Sequence, residues 1–287
     1  MRLGLLIALA AALASALYLM VELDDLAAWA ISAQRDFQNQ MATAIHALRA
    51  GQSGAYLALL SGAAAYGFVH ALGPGHGKYL VGGVGLGTAI STWRLLGLSV
   101  SSSLAQALWA IILVYGGFFL IEASARQMTS LAESYLAPAS YAAIACVGLM
   151  LIWRGLVAVR TVRHAATDCG CHAHGPTPQE AARVGSLREA VLLVLSIAVR
   201  PCTGAIFLLI IAWQMDIHVA GIAAVLVMGL GTAMLTSLVA ISSVAARGLA
   251  FASSGALSGM HVAFPALQVF AGTLIALISL GLLGVSL

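Results

Sequence analysis

The stretch AYLALLSGAAAYGFVHALGPGHGK, residues 55–78, decides the fold of this chain. Its apolar part, Ala55–Leu72, contains no Asp, Glu, Lys or Arg and approaches the roughly 20 residues that a helix needs to cross a bilayer. A run of His, Gly and Pro follows, and lipid tolerates such an interruption only where protein or water satisfies the freed backbone groups. The stretch therefore predicts a membrane helix that breaks beside a polar site.

The composition of the whole chain extends this prediction. The 287 residues are 61% hydrophobic and only 8% charged, whereas soluble domains carry about 25% charged residues. Seven apolar segments stand out, at Leu3–Met20, Ala55–Leu72, Leu95–Ile121, Pro138–Trp153, Val191–Trp213, Ala220–Ala246 and Val262–Leu287. Because these segments do not alternate apolar and polar residues, they predict helices rather than a membrane barrel. We therefore expect an all-α polytopic membrane bundle of about seven transmembrane helices.

The part before this stretch divides into two regions. Residues 1–21 are either a retained anchor or a cleaved signal peptide, since Arg2 precedes a short apolar run. In residues 22–53 apolar side chains recur at helical spacing, which predicts an amphipathic connector on the periplasmic surface. These side chains are Trp29, Ala33, Phe37, Met41, Ile45 and Leu48. We favour a connector that rests on the membrane over a gating lid. After the second segment, the short run Tyr79–Ile90 is either re-entrant or interfacial.

Lys and Arg residues predict the orientation, because they concentrate in cytoplasmic loops. With the N-terminus inside, the inner loops hold nine of the 13 basic residues and the outer loops three, while Arg200 lies within a span. A long inner loop, 160–188, separates a first trio of spans in residues 54–159 from a second trio in residues 189–287. Such a 3+3 arrangement is expected of inverted repeats. We predict a bacterial inner-membrane protein with its N-terminus inside and its C-terminus outside.

The run His70–Lys78 is the first candidate metal site. Residues six apart would face different sides of an unbroken helix, but Pro74 breaks it and the flanking Gly73 and Gly75 permit unusual backbone angles. His70 and His76 are then free to converge on one ion, assisted by backbone carbonyls. Imidazole suits divalent nickel, cobalt, copper and zinc. The alternative is a Pro-Gly turn with two interfacial histidines.

A second interruption lies in the other half of the chain, at Arg200-Pro201-Cys202. Paired helix interruptions at corresponding places are the best sequence pointer to the site of a transporter. Cys202 is either a soft ligand or a small apolar filler. Arg200 either gates cation passage or forms a structural pair with a carbonyl or the acidic inner loop. Gln106 belongs to a polar stripe in the third span and is a further ligand candidate, with interhelical hydrogen bonding as the simpler interpretation.

The inner loop carries a third cluster of metal ligands, Cys169, Cys171, His172 and His174. Short Cys/His tracts can capture metal, but this spacing is not that of a zinc finger. Low-affinity metal capture and a solvated linker both remain open for this cluster.

Together these motifs resemble the nickel/cobalt efflux (NicO-type) permease family. His70–Lys78 resembles the family's His-Ala/Gly-x-x-Pro-Gly-His-x-Lys signature, and Arg200–Ala205 is similar to its Pro-Cys motif. The loop end His172–Glu180 resembles the end of the family's His-rich loop, here abbreviated. The matches occur in the family's order and cover roughly Ala55–Leu287. Some family members carry a histidine near the position of Gln106, so the resemblance implies a changed ion preference here.

The residues and the resemblance predict a transporter, not an enzyme. It would move nickel or cobalt by alternating access at the two breaks, and the resemblance implies efflux. The lipid bilayer and the divalent ion are the expected partners; we expect no nucleic acid and no permanently bound cofactor, and leave an oligomer or accessory subunit open. His70, His76, Cys202 and Gln106 are the candidate ligands, and Gly73, Pro74, Gly75, Lys78, Arg200 and Pro201 the structural or gating residues. The alternative is a thiol–disulfide electron carrier that uses Cys146 and Cys202.

Overall fold

The computed structural model describes residue 25 and residues 28–72, 76–121, 125–165, 187–253 and 257–286. Within these ranges the ordered elements are helices and no strand is present, which confirms the predicted all-α membrane bundle. The helices are α1 (28–49), α2 (Ala55–Leu72), α3 (His76–Gly87), α4 (Thr92–Ile121), α5 (Ala125–Leu131), α6 (Ala137–Ala165), α7 (Leu187–Ala198), α8 (Thr203–Gln214), α9 (His218–Ser253) and α10 (Leu257–Ser286). A π-helical turn, Ala132–Leu136, joins α5 to α6.

Five of the described helices are long and apolar enough to cross a membrane, and the bent pair α7–α8 adds a sixth candidate. These six match the six later apolar segments of the sequence. The first segment, Leu3–Met20, lies outside the described residues. Many large apolar side chains remain exposed along the spans, among them Leu57, Ile112, Phe119, Phe207, Met234 and Leu277. Such faces suit contact with lipid, whereas a soluble protein rarely exposes contiguous apolar patches of this kind.

The segment Val191–Trp213 is two helices rather than one straight span. Its halves, α7 and α8, are bent by 60° across a short break. Pro201 lies in this break, and its ring disfavours helical geometry for the preceding residue, Arg200. Cys202 is extended there, with φ −67° and ψ 129°, and α8 begins immediately after it. The sequence predicted this interruption correctly.

Glycines bring the main helix pairs into close contact. A Cβ built at Gly67 of α2 would overlap the carbonyl of Met228 on α9, and one at Gly231 of α9 would overlap the carbonyl of Ala64 on α2. Gly148 of α6 and Gly272 of α10 face each other's backbones in the same way. Small residues at such crossings allow the helix axes to approach, which strengthens packing in lipid.

The short helix α3 lies inside the bundle. It packs against α9 and α10, and Leu80 and Val81 are fully buried there. Arg247 of α9 donates hydrogen bonds to the carbonyls of Gly85, Thr88 and Ile90 at the end of α3. These contacts favour the re-entrant over the interfacial interpretation of Tyr79–Ile90.

The helix α1 packs on the bundle through the apolar face that the sequence outlined. Met41 and Ile45 are buried in one core with Leu59, Ala63 and residues of α8 and α9. Trp29, at the start of the same pattern, is 53% exposed. The helix therefore shares a hydrophobic core with the spans, which brings its polar side chains close to α2.

Candidate functional site

A polar cavity of about 150 Å³ lies between the end of α2, the start of α3 and the break between α7 and α8. Residues of α2, α3, α4, α6, α7, α8 and α9 and the break between α7 and α8 line it, including His70, Lys78, Ser103, Gln106, Arg200 and Cys202. Among lipid-facing helices, such a concentration of basic, thiol, amide and hydroxyl groups is costly and usually marks a pathway or binding site. The structure thus places three of the candidate ligands, His70, Gln106 and Cys202, around one cavity.

His70 and Cys202 both line this cavity. Their side chains are close enough to interact electrostatically. The Tyr66 ring stacks on His70, with centroids 5.6 Å apart and planes 12° from parallel. A nitrogen donor and a sulfur donor therefore line one cavity, next to a phenol.

Gly204 makes room for this arrangement at the start of α8. A Cβ at Gly204 would overlap the Tyr66 hydroxyl and ring. Tyr66 and His70 are one helical turn apart on α2, so their rings lie on the same face. The glycine that follows the Pro-Cys break therefore leaves the space that the Tyr66 ring occupies beside His70.

Gln106 of α4 supports the break between α7 and α8. Its Nε2 donates to the carbonyl oxygens of Ile197 and Arg200, at 3.1 and 3.0 Å. The last carbonyls of a helix lack partners within the helix, and in lipid each must be satisfied by protein. Because the amide nitrogen is engaged in this way, any contact of Gln106 with an ion would fall to its Oε1.

Arg200 is held by an aromatic partner on α6. Its Nη1 donates to the Tyr141 hydroxyl at 2.6 Å, and the guanidinium lies 5.0 Å from the centroid of the same ring. The sequence had suggested a carbonyl or the acidic inner loop as its partner. This contact places a fixed positive charge at the wall of the cavity.

Lys78 connects the two sides of the first interruption. Its Nζ donates to the carbonyl oxygen of Leu72 at 2.6 Å. Since Leu72 is the last residue of α2 and Lys78 belongs to α3, this hydrogen bond links the C-terminus of one helix to the first turn of the next. A cation at a helix C-terminus is also favoured by the helix dipole.

Two glutamines of α1 reach the site, and the sequence reasoning did not find them. Gln34 Oε1 lies 3.0 Å from His70 Nδ1, and Gln38 Nε2 lies 3.4 Å from the Tyr66 hydroxyl. The only sequence feature that points to these contacts is the spacing: Gln34 and Gln38 are one helical turn apart, as are Tyr66 and His70. The interpretation of α1 from the sequence rested on its apolar face alone and did not consider its glutamines.

Several predicted site residues lie outside the described part of the chain. These are Gly73, Pro74 and Gly75, the side chain of His76, and the loop residues Cys169, Cys171, His172 and His174. The convergence of His70 and His76 therefore stays a prediction. Among the described residues, no cluster of three or more His, Cys, Asp or Glu side chains is placed to hold a metal ion.

The positions of the two described cysteines do not favour the electron-carrier alternative. Cys146 is exposed on α6, while Cys202 lines the interior cavity, and both are free thiols. Disulfide exchange requires the two sulfurs to approach within bonding reach. An exposed and an interior thiol on different elements do not form such a pair in this structure.

The fold and the site define a polytopic helical membrane protein with a polar cavity beside the bent pair α7–α8. A protein of Haemophilus influenzae named "Putative nickel/cobalt efflux system" is 31% identical to the chain over 229 residues, which are 71% of this chain and 70% of that protein. The chain belongs to the nickel/cobalt efflux permease family, as its motifs indicated. No family model matches the chain, and no solved structure matches it.

Proposed function

We propose that this protein exports divalent nickel or cobalt across the bacterial inner membrane. The observation that carries the proposal is that His70 and Cys202 line the same polar cavity, beside the break between α7 and α8. Imidazole and thiolate ligands suit late first-row transition metals better than magnesium or calcium. The relative from Haemophilus influenzae, whose printed name refers to nickel/cobalt efflux, supports both the cargo and the direction.

The donor set fits a transient site better than a storage site. Transport requires binding that is strong enough to select the ion and weak enough to release it. His70 and Cys202 would bind the ion directly, His76 would complete the site from the start of α3, and the Gln106 oxygen would assist. Hydroxyl and amide groups and the cations Lys78 and Arg200 line the cavity around these ligands, instead of carboxylates, which limits the affinity and permits release.

The same arrangement supports an alternating-access mechanism. The first half contains the interruption that the sequence predicts after α2, and the second half contains the observed break between α7 and α8. We propose that the halves are inverted repeats that rock around the cavity, since paired broken helices at the repeat interface are typical of such transporters. The charge distribution supports an orientation with the N-terminus inside and the C-terminus outside.

The test is metal accumulation in a bacterial strain that lacks its own nickel and cobalt exporters. Cells with the wild-type protein should hold less nickel and cobalt than cells with the empty vector, and should tolerate more of either metal. His70→Ala should return both quantities to the vector level, because it removes a direct ligand. His46→Ala is the matched control, since His46 is exposed on α1. Higher metal content with the wild-type protein would contradict export.

A further inference from the structure

The helix α1 contacts the candidate site through two parallel side-chain pairs. Gln34 meets His70 and Gln38 meets Tyr66, so two residues one turn apart on α1 face two residues one turn apart on α2. Both glutamines are partly buried. The pairs thus join the helix that precedes the spans to the aromatic and imidazole rings of the cavity.

The orientation of the Gln34 amide follows from a second hydrogen bond. Its Nε2 donates to the carbonyl oxygen of Ala30, one turn earlier on α1, at 3.1 Å. If the amide were turned over, its oxygen would face that carbonyl, and two acceptors would be opposed. Oε1 is therefore the atom that faces His70, and an oxygen can only accept a hydrogen bond there.

An acceptor at this position determines which nitrogen of the neutral His70 ring carries the proton. Neutral imidazole carries its proton on one nitrogen and a lone pair on the other. Because Oε1 of Gln34 accepts from Nδ1, the proton belongs on Nδ1 and the lone pair on Nε2. Metal-binding histidines usually donate their second ring N–H to an oxygen in this way, which fixes the ring and raises its basicity as a ligand.

We propose that Gln34 is a positioning residue that fixes the Nδ1–H tautomer of His70 and thereby leaves the Nε2 lone pair to bind the ion in the cavity that Cys202 also lines. The ligand role of Nε2 rests on the proposed function, whereas the tautomer does not. Tyr66 stacks on the ring and Gln38 holds Tyr66, so the ring is also fixed in rotation. The helix α1 then contributes to the metal site although it supplies no ligand.

The tautomer can be measured without metal. Purified protein labelled with ¹⁵N-histidine is examined in lipid by solid-state NMR, and the His70 signals are assigned by their loss in His70→Gln. Wild type and Gln34→Glu, which keeps an acceptor, should show the Nδ1–H form. Gln34→Leu should shift His70 toward the Nε2–H form. A wild-type signal from an Nε2–H ring would overturn the proposal, whatever the protein transports.

Cobalt titration of the same proteins tests the consequence for binding. Gln34→Leu should weaken Co²⁺ binding by about 10–100-fold, the usual loss when such a supporting hydrogen bond is removed. Gln34→Glu should bind at least as tightly as wild type. Gln40→Leu is the matched control, since Gln40 is exposed on the same helix, and it should leave binding unchanged.

The outcomes separate this inference from the proposed function. Unchanged Co²⁺ affinity in Gln34→Leu would overturn the positioning role, even if His70→Ala abolished transport. Transport that survived His70→Ala would contradict the proposed function, and a wild-type Nδ1–H signal would still support the tautomer assignment.

Discussion

The side-chain nitrogen of Gln106 lies 3.0 Å from the carbonyl oxygen of Arg200 and donates a hydrogen bond to it. This contact joins the third predicted span to the interruption in the second half of the chain. The same nitrogen also satisfies the carbonyl of Ile197. The bend between α7 and α8 is therefore supported by protein at a depth where lipid offers no hydrogen bonds.

Removal of this donor should destabilise the protein. Gln106→Leu leaves two carbonyls at the break without their partner, and an unsatisfied buried polar group costs about 1–3 kcal/mol. We expect a lower melting temperature in detergent and reduced transport. Ser101→Ala, at an exposed position on the same helix, should leave the melting temperature unchanged. Equal melting temperatures for wild type and Gln106→Leu would show that this contact does not support the bend.

Substitution of two glycines by alanine should change stability in opposite directions, because only one of them lies at the close crossing of α2 and α9. Gly231→Ala places a Cβ against the Ala64 carbonyl, so we expect a loss of about 1–3 kcal/mol from overpacking. Gly97→Ala meets open space within helix α4, and removal of a helical glycine there should stabilise the protein by about 0.5–1 kcal/mol. Thermal unfolding of both variants in one detergent provides the comparison. If Gly231→Ala were as stable as Gly97→Ala, α2 and α9 would not approach each other as closely as the structure shows.

Binding at the cavity should depend on pH through Cys202. A thiol must lose its proton before it binds a metal, so the affinity for Co²⁺ should rise as the pH increases. A sulfur-to-cobalt charge-transfer band should appear with the same pH dependence. Cys202→Ser should abolish the band.

Cys146→Ser provides the control for this measurement, because Cys146 is exposed on α6, whereas Cys202 lines the cavity. The band should survive in this variant. A band that was lost in Cys146→Ser and kept in Cys202→Ser would place the metal at the wrong cysteine for our account.

The sequence predicted most of the membrane helices because hydrophobic length is a local property. Ala55–Leu72 begins and ends in the structure where its apolar run begins and ends. The break at Pro201 was predictable for a similar reason, since proline removes a donor and clashes with the preceding turn wherever it occurs in a helix.

Other parts of the site depend on contacts between distant residues, which local patterns do not contain. Arg200 contacts Tyr141, and His70 contacts Gln34; in each pair the two residues are far apart in sequence. Their side chains are ordinary in their own segments, so only the packing of α6 and α1 reveals them. The burial of α3 could not be predicted either, because this helix is short for a membrane span and rich in glycine.

The central claim is tested most directly by Co²⁺ flux through purified protein in liposomes that contain a metal-sensitive dye. With an inward Co²⁺ gradient, the wild-type protein should produce a rapid change in dye fluorescence, and His46→Ala should match it. His70→Ala and Cys202→Ala should each fall to the rate of protein-free liposomes, because both remove direct ligands from the cavity. Wild-type flux in both ligand variants would contradict the assignment of the cavity as the transport site.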